Sequence, residues 1–426
     1  MTKFNLTDAD DFFPALAGLT DGHDLIYGNA GNDTIEGGKG QDTLWGDLGN
    51  DILRGGAGHD LLYGGPGVNE LWGGSGNDTV IAVYDAQFAA LQGGTGVDAL
   101  GLIMSDTVDA PAKIVVSGLN NGFLVSLDGR VISANAFEQL FVESGRALEF
   151  VGGAEQDEVV SWGAKSRISL GAGDDRLFIE RTTAIKGQAD TLDGGAGNDL
   201  LQVDVTNLGS RIYVSFDATG AGKYSFINGV NSGFTGFERL EIIGGDAGDR
   251  VQMGAQAIAL FAEGREGLTT DNDLFEGGAL NDVLKGGSGA DTLRGALGND
   301  VLIGGTGADI LTGGAGADMF VFQGTAQSAL GAADRIMDFA SAAMVGTAGG
   351  WDMLDLTEAR LAAGLTETLV LIGTGAFTAA GQIRLVDLGA DLAVDVNLTG
   401  VTGAEMRVIL MGVADATMIG VQDFFG

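Results

Sequence analysis

Over two long stretches the apolar residues of this chain recur every ninth position. From Leu19 to Ile81, and again from Leu268 to Val321, single large apolar side chains are separated by polar, glycine-rich blocks. GGKGQDTLW (37–45), GDLGNDILR (46–54), GGAGHDLLY (55–63) and GGSGNDTVI (73–81) carry the pattern first; GGSGADTLR (286–294), GGTGADILT (304–312) and GGAGADMFV (313–321) repeat it. The consensus is G-G-x-G-x-D-x-U-x, with U large and apolar. Its first six residues predict a tight turn whose glycines accept positive φ and bare their carbonyls. Its last three predict a short strand that points one side chain, U, inward.

This nonapeptide is similar to the hemolysin-type calcium-binding repeat of the RTX family, a repeat of the β-helix class. The resemblance implies an all-β, calcium-binding parallel β-roll or β-helix solenoid, and the spacing has a chemistry that agrees. Two blocks complete a coil of eighteen residues, so turns eighteen apart stack ~4.8 Å apart along one edge. Calcium takes 6–8 oxygens, here aspartate carboxylates and turn carbonyls. In the first array Asp24, Asp42, Asp60 and Asp78 share one edge, and Asp33, Asp51 and Asn69 the other. In the second, Asp273, Asp291 and Asp309 share one edge, and Asp282, Asp300 and Asp318 the other. Stacked carboxylates without a cation would repel strongly. Asn69, in a block that also holds Pro66, predicts a weak or absent ion. Leu280 replaces the third glycine of its block and LTTDNDLFE (268–276) has no glycine, so that end is expected to bind poorly.

Between the arrays the chain repeats at about a hundred residues. GGTGVDALGL (93–102) corresponds to GGAGNDLLQV (194–203), KIVVS (113–117) to RIYVS (211–215), and AFEQLFVESG (136–145) to GFERLEIIGG (236–245). Each copy opens on one calcium-type turn, with Asp98 or Asp199. Degenerate turns follow at Asp157, Asp175, Asp190 and Asp249. Alternation such as Phe123, Val125, Leu127 against Leu124, Ser126, Asp128 suits strands. The expected organisation is an N-terminal segment (1–18), a first β-roll (19–92), two inserted β-rich repeat units (93–193 and 194–267), a second β-roll (268–321) and a C-terminal region (322–426).

The last region reads differently. ADRIMDF (333–339), WDMLDLTEA (351–359) and a terminal Asp423-Phe424-Phe425 resemble the region that follows the repeats in serralysin-type secreted proteins. That resemblance implies an uncleaved type I secretion signal and a type I exporter as partner. The family's DVNGDG appears only as Asp395-Val396-Asn397-Leu398-Thr399-Gly400, a departure that counts against a metal role for Asp395.

Composition narrows the function. With 22 Lys and Arg against 58 Asp and Glu, the net charge is −36, which disfavours nucleic acid. Zero cysteine removes disulfides and thiolate sites. Glycine is abundant, 75 of 426 residues, but lacks collagen's period. At 45% hydrophobic the chain is not a disordered one. No apolar run approaches the ~18 residues of a membrane helix. The opening MTKFNLTDADDFF has no basic-then-apolar signal.

Catalytic signatures are missing from the sequence. His23 and His59 fall at the fifth, variable position of their turns, and no H-E-x-x-H or G-x-S-x-G motif occurs. Tyr27, Trp45 and Tyr63, eighteen residues apart, predict an aromatic ladder that serves as cross-strand packing or as a glycan-stacking stripe. Each coil buries only two U side chains, so calcium is expected to be part of the folding free energy. The chain would stay unfolded in a calcium-poor cytosol and fold after export. The metal ligands expected are Asp24, Asp33, Asp42, Asp51, Asp60, Asp78, Asp98, Asp175, Asp190, Asp199, Asp282, Asp291, Asp300, Asp309 and Asp318. The expected role is a non-enzymatic structural component outside a bacterial cell, in a surface layer, matrix or filament, self-associating. The alternatives are an adhesin that binds a surface glycan, and a polysaccharide-acting enzyme recognised by convergent carboxylates in 102–267.

Overall fold

The computed structural model describes residues 2–14, 21–84, 90–104, 112–119, 122–127, 130–135, 139–144, 148–154, 156–161, 166–181, 189–208, 210–226, 231–265, 271–345, 350–400 and 403–425. Short strands dominate them, with little helix. The fold is a parallel β-solenoid of the β-roll kind. In the three-residue strands of the arrays one apolar residue builds the core, because a period-two strand of that length has a single inward position. Ile26, Leu44, Leu62, Val80 and Leu100 stack fully buried on one sheet, and Ile35, Leu53, Leu71 and Leu91 on the other. These are the U positions of the repeat.

The chain divides into two compact units, Met1–Glu180 with Gly187–Gln202 and Ser232–Phe237, and Arg181–Lys186 with Val203–Asn231 and Glu238–Gly426. In the first unit one sheet runs Thr2–Asn5, Asp24–Tyr27, Thr43–Trp45, Leu61–Tyr63, Thr79–Tyr84, Ala99–Met104, Gln139–Ser144, Gln156–Ser161 and Arg176–Glu180, all parallel. The facing sheet begins Phe12–Phe13, Thr34–Lys39, Ile52–Ala57, Glu70–Ser75 and Ala90–Thr95. The register steps by eighteen within the array, as in Ile52↔Glu70, and by twenty at Thr79↔Ala99. The N-terminal segment therefore adds a coil of its own, closed by Phe4 against Phe13 with ring centroids 4.9 Å apart.

Between coils the second sheet of this unit takes an antiparallel insertion, Ala112–Leu119, Gly122–Leu127 and Arg130–Asn135. Ala112–Leu119 also pairs in parallel with Leu148–Val151, so the insertion grows out of the solenoid sheet. In the second unit the antiparallel pair Ile212–Phe216 and Gly222–Phe226 occupies the corresponding place, one hundred residues on. The alternation at 123–128 falls on a strand whose side chains, with Asp128 itself, lie outside the described residues. So do the side chains of KIVVS and most of AFEQLFVESG.

The second unit carries Arg239–Ile243, Ala259–Glu263, Val283–Ser288, Val301–Thr306, Met319–Val321 and Met353–Asp355 in one sheet. Arg250–Gln252, Leu274–Glu276, Thr292–Leu297, Ile310–Ala315 and Asp334–Ile336 form the other. The coils thus continue past residue 321 into the region read as different. An antiparallel set, Gln382–Asp387, Leu392–Asn397 and Met406–Leu410, joins the second sheet beside Asp334–Ile336. Phe424–Phe425 pairs in parallel with Met353–Asp355, and buried Asp423 accepts the N–H groups of Ala342 and Gly420, each at 2.8 Å. Asp395 lies in the antiparallel set, fully buried. Arg384 donates to it at 2.7 Å and Arg407 at 2.6 and 2.9 Å. Burial would raise its carboxyl, but the two guanidiniums outweigh this and hold it below the usual range.

Candidate metal sites

The sixth-position aspartates stand in columns along the two solenoid edges, and each carboxylate splits its duties. Oδ1 accepts the backbone N–H of the aspartate one coil back: Asp24 donates to Asp42, Asp42 to Asp60, Asp60 to Asp78 and Asp78 to Asp98, all at 2.8 Å. On the other edge Asp33 donates to Asp51 at 2.9 Å and Asp51 to the Asn69 amide oxygen at 2.8 Å. Asp282, Asp300 and Asp318 form such a column in the second unit, and Asp273, Asp291 and Asp309 another.

Oδ2 faces the turn. In Asp33, Asp42, Asp51, Asp60, Asp78, Asp175, Asp291, Asp300, Asp309 and Asp318 it is buried and accepts no hydrogen bond. A β-carbon on Gly37 would stand 2.7 Å from Asp42 Oδ2 and 2.7 Å from the Gly55 carbonyl oxygen; on Gly55, 2.5 Å from Asp60 Oδ2 and 2.6 Å from the Gly73 carbonyl oxygen. The first glycine therefore keeps open a small space into which a carboxylate and a carbonyl from neighbouring coils both point. The fourth-position glycine is required for a second reason: Gly58 has φ of 141°, and a side chain there would run into the Gly40 carbonyl. Among the described residues no three carboxylates or histidines gather at one point. Any ion here would draw on one or two carboxylates and complete its shell with carbonyls. Buried anionic oxygens lacking donors, set beside carbonyl oxygens, form an all-oxygen donor set of the kind calcium takes.

Burial dominates the electrostatics. It pushes the carboxyls of Asp42 and Asp51 up to about 6 and those of Asp60, Asp291 and Asp300 to about 7, aided by neighbouring carboxylates in the column and opposed by the backbone N–H each accepts. Asp175 rises to about 6 for the same reasons. Without a cation, the carboxyls near 7 are about half protonated at neutral pH and those near 6 largely ionised.

The other expected ligands fall into different settings. Asp157, Asp175 and Asp199 continue a column, with Asp157 donating to Asp175 at 2.7 Å and Asp175 to Asp199 at 2.8 Å. Asp190 does not stand between carboxylates. It accepts from Ser166 N–H at 2.7 Å and donates to Ser232 Oγ at 3.0 Å, so serines occupy the positions one coil to either side. Asn69 keeps the column's hydrogen bond but turns its amide nitrogen to the Gly65 carbonyl at 2.8 Å, where the aspartates present Oδ2.

Two aspartates that the glycine pattern does not mark extend the columns. Asp309 donates to Asp334 Oδ1 at 2.9 Å, and Asp318 to Asp352 Oδ1 at 3.0 Å. Burial and the Asp309 carboxylate push Asp334 up to about 9; burial pushes Asp352 to about 7. The remaining signal is Asp-x-U without the turn: Asp334-Arg335-Ile336 and Asp352-Met353-Leu354. The fifth position is also less tolerant than its variability implies. His23 Nδ1 accepts the Gln41 N–H at 2.8 Å and His59 Nδ1 the Asn77 N–H at 2.7 Å, as Asn32 Oδ1 accepts that of Asn50. Acceptor side chains there tie one coil to the next.

Tyr27, Trp45 and Tyr63 form the expected ladder, half-buried, with centroids 6.1 and 4.4 Å apart and interplanar angles of 18° and 32°. The ring faces turn mainly to one another. A cleft of about 410 Å³ beside Ile212–Phe216 is lined by Ser215, Phe216, Asp217, Gln252, Gln256 and Glu276. Among the described residues no helix is long and apolar enough to cross a membrane.

Comparison with known proteins bears on these columns. The model of the RTX calcium-binding nonapeptide repeat, in four copies, matches residues 20–53, 45–80, 187–202, 269–302 and 295–322. These are the two arrays and the turn that carries Asp199. The nonapeptide turns are therefore RTX repeats, and they bind calcium at multiple sites. A comparison with curated proteins finds no match. Among solved structures the chain is similar to the AlgE6R3 subunit of the Azotobacter vinelandii mannuronan C5-epimerase, at 27% identity over 36% of this chain and 78% of that one, TM-score 0.28. The AlgE6R2 subunit gives 26% identity, 36% and 89% coverage and a TM-score of 0.26. The extracellular lipase LipA from Serratia marcescens gives 16% identity, 77% and 45% coverage and a TM-score of 0.22.

Proposed function

We propose that this calcium-binding chain is exported unfolded through a type I system, folds on meeting calcium outside the cell, and serves there as a non-enzymatic structural component that self-associates in a surface layer, matrix or filament. The observation that carries the reading is the row of buried carboxylate oxygens without donors, set against carbonyls, at successive coils. Such columns are costly without a cation and cohesive with one. Extracellular calcium modules work at ~10⁻⁴–10⁻³ M, far above cytosolic levels, so the same columns separate an unfolded inside state from a folded outside state. The proposed layout keeps the N-terminal segment, the two β-rolls, the inserted units and the C-terminal region, the last carrying the export signal.

Far-UV circular dichroism and size measurement during a calcium titration from EGTA to ~10⁻² M, past the range of extracellular modules, test it. Strand signal that appears with calcium, followed by large ordered assemblies, supports the reading. A chain fully folded in EGTA overturns it. A stable calcium-loaded monomer favours a second reading, glycan binding. The cleft supports that alternative: its hydroxyl, amide and carboxylate groups around Phe216 suit a hydroxyl-rich ligand. The aromatic ladder does not, because its ring faces are spent on one another.

A further inference from the structure

The turn that opens the second array departs most from the repeat, yet its described residues keep several of the repeat's contacts. A β-carbon on Gly264 would collide with Asp273 Oδ2 and the Gly286 carbonyl, the contacts that first-position glycines make in regular turns. Asp249 donates to Asp273 Oδ1 at 2.6 Å and Asp273 to Asp291 Oδ1 at 2.7 Å, so the column runs through. Asp271 takes the fourth position: its carbonyl lies beneath Gly289 as the Gly40 carbonyl lies beneath Gly58. Where regular turns have a hydrogen, this one has a carboxylate. Leu268, Thr269 and Thr270 of the same block lie outside the described residues.

Asp271 is 1% exposed, and neither of its carboxyl oxygens accepts a hydrogen bond. Its charge is felt by Asp249, Asp273 and Asp291. Arg211 and Arg265 are the cations near it. Arg265 is engaged by Asp246 and by the Thr206 carbonyl at 3.1 Å, and Arg211 donates to the Tyr213 hydroxyl at 3.3 Å. Asp246, Asp249 and Asp271 thus share two guanidiniums, and Asp271 is left buried without a donor. A buried carboxylate in that state is retained where a cation completes it.

We infer that Asp271 is a calcium ligand, a carboxylate at a position where the regular turns have none. The ion would take Asp271 together with one neighbouring carboxylate and turn carbonyls, because no three carboxylates converge among the described residues. This reverses the expectation of poor binding at 268–276. It rests on the calcium reading above and adds a ligand position that the repeat consensus does not contain.

The test is equilibrium dialysis of the full chain against radioactive calcium at ~10⁻³ M, the working range of extracellular modules, comparing wild type with Asp271→Gly and Asp271→Asn. Circular dichroism in saturating calcium checks that each variant folds. Asp271→Gly restores the repeat's own fourth residue, so a mere turn position would bind calcium as well as before or better. The inference expects both variants to bind one calcium fewer per chain while the other sites stay filled. Unchanged stoichiometry in folded Asp271→Asn, or unchanged or tighter binding in Asp271→Gly, overturns it and leaves Asp271 as a counter-ion to Arg211 and Arg265. A wild-type chain that binds no calcium overturns the underlying reading instead.

Discussion

Asp60 Oδ1 accepts the backbone N–H of Asp42, 2.8 Å away and one coil back, while its Oδ2 lies buried without a donor beside the Gly73 carbonyl. One side chain therefore serves both the coil ladder and the cation space, and substitution can separate the two roles. Asp60→Asn keeps an acceptor for Asp42 but loses the anionic oxygen. We expect a calcium midpoint for folding raised about tenfold, equivalent to ~1.4 kcal/mol. Asp60→Ala also orphans the Asp42 N–H, adding ~1–3 kcal/mol. Asn69→Asp should lower the midpoint. Circular dichroism titrations order the four proteins, and equal midpoints for Asp60→Asn and wild type would refute the ligand role.

The raised carboxyls set the direction of the pH response. Asp60, Asp291 and Asp300 sit near 7 in the folded, metal-free chain because of burial, against 3.8 ordinarily. The folded state then binds more protons than the unfolded one between those values. Its metal-free stability is fully present below about pH 4 and is lost as pH rises through about 7. Calcium competes with those protons, so affinity should increase from pH 5 to 8 and binding should release protons. Calorimetry in buffers of different ionisation enthalpy measures the release; an unchanged apparent enthalpy would sink this account.

Asp190 stands between Ser166 and Ser232 rather than between carboxylates. Asp190→Asn should leave the number of bound calcium ions unchanged, whereas Asp60→Asn should reduce it. Equilibrium dialysis of the two variants side by side decides, and a lost ion in Asp190→Asn would show that Asp190 holds calcium with serine and carbonyl oxygens in place of a second carboxylate.

Ala296 occupies a second-position glycine site at φ of 81°, and Asn29 and Asp47 hold similar sites at 70° and 65°. Asn and Asp tolerate the left-handed region better than alanine does. Ala296→Gly should raise stability by ~1 kcal/mol in saturating calcium. A lower unfolding temperature would mean that the methyl group makes contacts worth more than the strain.

Asp395 is fully buried between Arg384 and Arg407. Removing one guanidinium leaves a buried charge half-compensated. Arg407→Ala should cost ~3–5 kcal/mol of stability without changing the number of bound calcium ions. A lost ion would return a metal role to Asp395.

The nine-residue period by itself determined the β-roll, the inward residue of each strand and the aspartate columns of both arrays. It could do so because a short strand has one inward side chain and a glycine turn has one workable backbone path. Leu53, Leu62, Asp42 and Asp60 are all placed by that local rule. What lies outside the rule came from pairing at long range. Asp334 and Asp352 join the columns because their strands dock beside Ile310–Ala315 and Met319–Val321, not because a turn motif precedes them. Asp190 meets serines because the coils between Ser166 and Ser232 lengthen, and coil length depends on where strands pair. Asp271 reads in sequence as a failed turn, and packing makes it a buried carboxylate among others. Local spacing dictates a residue's conformation; which charges it meets one coil away is settled only when the coils stack.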